Sequence, residues 1–135
     1  MAAAAIPASA EKKPVVPKEM ARKDAPFSQG ILSAGNLYVS GQMGGDPKTN
    51  QIPEDFETEM KNALDKIGVI LKEGGMDFSD VVAAQVYMTD VDLFPKMNAV
   101  YTTYFKEPRP ARATVGVLKL VLPKARVEIA VTAHK

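Results

Sequence analysis

Arg112 and Glu128 are the two residues whose types and settings could do chemistry in this chain. Arg112 stands at the mouth of an apolar run, in EPRPARATVGV (Glu107 to Val117), with no acid beside it. A guanidinium taken out of water there is costly unless an anion meets it. In strand alternation Thr114, Gly116 and Leu118 share its side, and Ala113, Val115 and Val117 the other. Glu128 stands out in the same way beside Val127, Ile129 and Val131. If the two runs pair antiparallel, two readings are open. The plain one is an Arg–Glu ion pair holding a hairpin or a subunit contact. The other divides labour: the planar fork of Arg112 clamps a ligand carboxylate, and Glu128 holds or activates a water. Asn98, beside Met97 in a helical stripe, needs a partner for its amide, and bracing backbone is its ordinary use. Ser40 and Gln42 close a strand next to a Gly-rich loop and read as turn residues.

Other chemistries lack their residues. There is no cysteine, which removes disulfides, thiolate metal sites and cysteine nucleophiles. The one histidine, His134, lies a single residue from the C-terminus, so neither a Ser-His-Asp arrangement nor a His-based metal site is expected. Gly41, Gly44 and Gly45 match no phosphate-binding fingerprint. We expect no metal and no cofactor. A formal net charge of +1 favours neither nucleic acid nor an acidic membrane surface as partner. No run of about 18 apolar residues is present to span a bilayer.

The elements that must position these residues follow from periodicity. Residues 1 to about 22 hold three prolines and little apolar material beyond Ala and Val, and are expected to form an extended arm before a single domain over 23–135. From Gly30 to Ser40, two short strands flank a turn at Ser33-Ala34-Gly35-Asn36. Gly41 to Pro53 (GQMGGDPKTNQIP) is a loop. Phe56, Met60, Ala63, Leu64, Ile67, Ile70 and Leu71 recur at helical steps, behind acidic first turns and ahead of Gly74-Gly75. Asp80 to Met88 predicts a strand apolar on both faces, and Asp92 to Phe105 a second helix capped by Asp90 or Asp92. Two closing strands, Ala111 to Leu120 and Arg126 to Ala133, are joined at Leu122-Pro123-Lys124. The order ββαβαββ is an α+β domain with two helices on one face of a sheet. Its other face is apolar and uncovered, which predicts a homo-oligomer.

Several segments taken together resemble the RidA (YjgF-type) family. They are Pro26-Phe27-Ser28-Gln29-Gly30, Tyr38-Val39-Ser40-Gly41-Gln42, Asp46-Pro47-Lys48-Thr49, FPKMNAVYTTYF (Phe94 to Phe105), Pro110 to Val115, and Val127-Glu128-Ile129. The resemblance spans roughly Asp24 to Ala133 in family order. It implies a chorismate-mutase-like α+β fold with a mixed sheet, homotrimers whose sheet faces pack together, and clefts between subunits. It also implies hydrolysis of 2-imino acids or their enamines to 2-oxo acids and ammonia, without cofactor or metal. The carboxylate-binding arginine falls on Arg112 and the water-positioning glutamate on Glu128; Phe27, Ser40, Asn98 and Thr114 fall on further pocket positions. Phe27 replaces the family's usual tyrosine, Thr114 a frequent cysteine and Ala25 a glycine, and the span from Arg112 to Glu128 is about one residue longer than the commonest pattern. The alternative is a trimeric ligand-binding or chaperone-like relative that binds carboxylates without turnover, and Phe27 keeps it open. The expected compartment is the cytoplasm; the competing signal for export is the Ala-rich start ending in Ala8-Ser9-Ala10.

Overall fold

The computed structural model describes residues 9–135. The first helix, α1 (Phe56–Glu73), forms as its periodicity dictates. Asp55 caps it by accepting from the Thr58 backbone N–H at 3.0 Å, and Gly75, at φ +77°, turns the chain out beyond Gly74. Its stripe, including Met60, Leu64, Ile67 and Leu71, is fully buried. The second helix, α2 (Phe94–Tyr104), is shorter than expected because Val91–Leu93 forms a 3-10 turn capped by Asp90. Both helices pack on one face of a mixed sheet, an α+β fold.

The sheet holds β1 (Lys13–Val15), β2 (Gly30–Ser33), β3 (Asn36–Met43), β4 (Val81–Met88), β5 (Ala111–Gly116) and β6 (Val127–His134), in the order β1-β2-β3-β6-β4-β5. Every pairing is antiparallel except β4 with β5, which α2 joins as a crossover. The β2–β3 turn uses Ala34 and Gly35, both at positive φ, as a two-residue hairpin requires. The segment expected to be an extended arm is extended over Lys13–Val15, but there it is paired to β2 with Val15 buried. Of the Ala-rich start, Ala8 and everything before it lie outside the described residues. Ser9 accepts a bond from the Ala34 backbone.

Two expectations about the closing strands are corrected. Ala111 to Leu120 is a strand only to Gly116, because β4, its partner, ends at Met88 opposite Gly116. Beyond it Leu118 and Val121 are over 90% exposed. The closing strands also do not pair with each other: β4 lies between them, since the βαβ crossover sets β5 on the outer edge of β4 while β6 fills the centre. Leu37, Val39, Val86, Ile129, Val131 and Ala133 face the helices and are buried. The opposite face carries Tyr38, Val82 and Val115, each about half exposed, with small residues such as Ala113 and Ala130 between them. Within one chain, then, β4 is covered on one side only.

Candidate functional site

Strand parity separates the two chemical residues. Arg112 lies opposite Ala84 of β4, and Glu128 opposite Tyr87. Positions 84 and 87 differ by an odd number, so their side chains leave the sheet on opposite faces. Arg112 is on the helix face, with Thr114 two residues along the same edge; Glu128 is on the open face. The Arg112–Glu128 ion pair weighed from the sequence does not form.

Arg112 is held by α2. Its Nη2 donates to Asn98 Oδ1 at 2.8 Å, and its Cζ stands 4.6 Å from the Tyr101 ring centroid and 5.6 Å from that of Phe94. Asn98 and Tyr101 are three apart, on neighbouring positions of one helix face. The amide of Asn98 therefore braces a side chain rather than backbone. Cation–π contacts fix the guanidinium plane without neutralising it. No carboxylate lies within 4.0 Å of it among the described residues, and most of its five N–H donors stay free. The Tyr101 hydroxyl beneath is buried without a partner; burial pushes its pKa up while Arg112 pulls it down.

Glu128 belongs to a second cluster, built by the irregularity in β3 between Val39 and Gln42. There Ser40 Oγ donates to the Gln29 carbonyl at 3.0 Å and Gln42 Nε2 to Gln29 Oε1 at 2.9 Å. These bonds tie the bulge to the segment that carries Phe27. Ser40 and Gln42 thus do more than close a turn. Gly41 at the bulge is needed for space: a methyl group there would overlap the Glu128 carboxylate. Burial alone pushes the Glu128 pKa above the ordinary carboxylate value. Phe27 and Gly41 line one cavity of about 380 Å³.

The residues singled out in sequence therefore fall into two groups, Arg112 with Asn98 and Thr114, and a second about Gly41, whose neighbours are Glu128 on one side, Ser40 in the chain and Phe27 across the cavity. Phe94, Tyr101 and Gly41 join these groups without having been singled out, the first two lying in the second helix and Gly41 opening the expected loop. The Tyr101 signal was present in its three-residue step from Asn98; the Gly41 role needed the bulge. No group of His, Cys, Asp and Glu side chains able to hold a metal occurs among the described residues.

Comparison with known proteins fits this geometry. The family model described as endoribonuclease L-PSP matches residues 18–135. A RutC family protein of Sulfurisphaera tokodaii is 45% identical over 112 residues, covering 82% of this chain and 88% of that protein. A Bos taurus protein named 2-iminobutanoate/2-iminopropanoate deaminase is 45% identical over 106 residues, covering 77% and 76%. The crystal structure of the Escherichia coli YjgF gene product superposes with a TM-score of 0.81 at 29% identity, covering 91% of this chain and 98% of that one. With its two helices on a mixed sheet and a match over nearly its full length, the chain belongs to the RidA/YjgF family.

Proposed function

We propose that this protein hydrolyses 2-imino acids to 2-oxo acids and ammonia, in sites assembled between subunits of a homotrimer. The observation that carries the reading is the guanidinium of Arg112, oriented by Asn98 and two aromatic rings yet without an acid partner among the described residues. A substrate carboxylate would complete it. The names of relatives at 42–45% identity point to the same chemistry. Because Arg112 and Glu128 leave opposite faces of one sheet, a site using both takes Arg112 from one subunit and Glu128 from the next. The open apolar face gives the subunits a surface on which to meet.

In that site the substrate carboxylate docks on Arg112 and fixes the C=N carbon near Glu128. The Glu128 carboxylate takes a proton from water as its oxygen bonds to that carbon, giving a tetrahedral carbinolamine. Glu128 passes that proton to nitrogen, then takes the carbinolamine hydroxyl proton as the C–N bond breaks, so ammonia leaves and the C=O forms. A protonated imine is already a good electrophile, so the step asks for no cofactor. The endoribonuclease description of the family finds less support. The chain is nearly neutral, and His134 ends the central strand β6, against Asn36.

The test is to generate 2-iminopropanoate in situ with an amino acid oxidase and follow its decay. Added protein is expected to accelerate it, with kcat/KM falling on acidification through the raised Glu128 pKa, since the base must be ionised. A decay rate unchanged by protein would refute the reading; carboxylate binding without turnover would point to a binding protein instead. Gly41→Ala checks the geometry independently. Its methyl group displaces the flexible Glu128 carboxylate, so kcat should fall by roughly 10- to 100-fold with little change in melting temperature. Full activity in that variant would remove Glu128 from the mechanism.

A further inference from the structure

The cavity beside Phe27 and Gly41 has a charged floor that the hydrolysis itself does not use. Its polar lining is cationic and amide, from Arg22, Lys66, Gln42 and Asn50, and no Asp or Glu lines it. Lys66 rises from α1 half-buried and makes one hydrogen bond, to the Met43 carbonyl at 3.1 Å. No carboxylate stands within 4.0 Å of it among the described residues. An ammonium has three donors, so two are left for solvent or a ligand. Burial lowers the Lys66 pKa, the sign of a charge short of solvent and partners, while the nearby Asp46 charge partly opposes this.

A second cavity of about 360 Å³ shares Arg22, Gln29, Gln42 and Lys66 as a wall, but Glu19 and Asp65 line it too. There the two cations meet two anions. No carboxylate lines the first cavity, so an anion entering between α1 and the β3 bulge is better placed on the Phe27 side than among Glu19 and Asp65. Gly41 links this cavity to the reaction, since its backbone lines the cavity and its α-carbon supports the Glu128 carboxylate.

We propose that the cavity floored by Lys66 is the substrate side-chain subsite and takes a second carboxylate, so that the favoured substrates are dicarboxylic 2-imino acids, the imines of acidic amino acids. The inference rests on the reading above for the contacts of the α-carboxylate and the C=N carbon; the Lys66 contact stands on its own observations. With the α-carboxylate on Arg112 of one subunit and the imine carbon at Glu128 of the next, the side chain points past Gly41 and Phe27. Its terminal carboxylate then meets the two free donors of Lys66, with Arg22 at the rim.

The experiment compares kcat/KM for 2-iminoglutarate and iminosuccinate, made in situ by glutamate and aspartate oxidases, with kcat/KM for 2-iminopropanoate. In the wild-type protein the dicarboxylic imines are expected to be favoured. That preference should fall by about tenfold or more in Lys66→Met, the size of a lost charge-assisted bond, and persist in Lys66→Arg, which keeps the charge and controls for folding. A ratio equal in wild type and Lys66→Met overturns the proposal and leaves imine hydrolysis standing. Calorimetric titration with glutarate and with butyrate separates the two failures. Glutarate binding that weakens in Lys66→Met supports the subsite even if no imine is turned over; glutarate affinity indifferent to Lys66 overturns it.

Discussion

Arg112→Ala is expected to lower kcat/KM for the proposed imine hydrolysis by roughly 10³-fold, because removing one side of a desolvated, hydrogen-bonded charge pair costs about 2–5 kcal/mol and each 1.4 kcal/mol is about a factor of ten. The side chain is not a tether for the fold. Its hydrogen-bond partner, Asn98, is on a helix that also packs through buried Met97, Val100 and Tyr101. Thermal stability should therefore move far less than activity. Arg112→Lys keeps the charge but loses the planar fork and its stacking on Tyr101 and Phe94, and should recover only part of the rate. The sharper form of this experiment uses two faces of the sheet. Subunits carrying Arg112→Ala and subunits carrying Glu128→Gln are each expected to be inactive alone. Co-assembled at random, about one quarter of inter-subunit sites regain both native groups, so activity returns. Inactive mixtures of subunits shown to have co-assembled would disprove the shared site.

Arg126→Ala is expected to lower folding stability by about 3–5 kcal/mol, the usual cost of leaving one member of a buried ion pair alone. Glu59 is fully buried within α1, and both its oxygens are engaged by Arg126, through Nε and through the backbone N–H, each at 2.6 Å. The same guanidinium donates to the carbonyls of Pro53 and Glu54 and lies 5.4 Å from the Phe56 ring. One side chain thus fastens the entrance of α1 to the start of β6, two residues before Glu128. Gly44 passes so close that a methyl there would overlap the Glu59 backbone, which leaves this corner tight. The expected fall in melting temperature is roughly 10–15 °C. Glu59→Gln should cost less, because Arg126 is partly exposed and can turn to water whereas Glu59 cannot. Denaturant titration of both variants decides it: Arg126→Ala within about 1 kcal/mol of wild type would show that the pair does not hold the corner.

That clamp was legible only in part. Glu59 counts in the sequence among the acids of the first turns, but it falls three residues after Phe56 and four before Ala63, on the core stripe of α1, where a buried acid calls for a cation. Nothing in one sequence says that the cation is 67 residues away on another element. The same holds for Lys66, whose place in α1 is read from periodicity but whose setting, under the β3 bulge, is not.

What the sequence determined by itself is local. The helical stripe from Phe56 to Leu71, the Ala34-Gly35 turn and the oddness of Arg112 all follow from neighbours within a few residues. The motif order also carried the family resemblance. What only the tertiary structure decided is who stands beside whom. The α2 crossover sends β5 to the sheet edge and leaves β4 between it and β6. With the register set by those pairings, the odd separation of positions 84 and 87 puts Arg112 and Glu128 on opposite faces. Alternation along one strand is a local property; parity across three strands depends on strand order and register, which long-range packing sets.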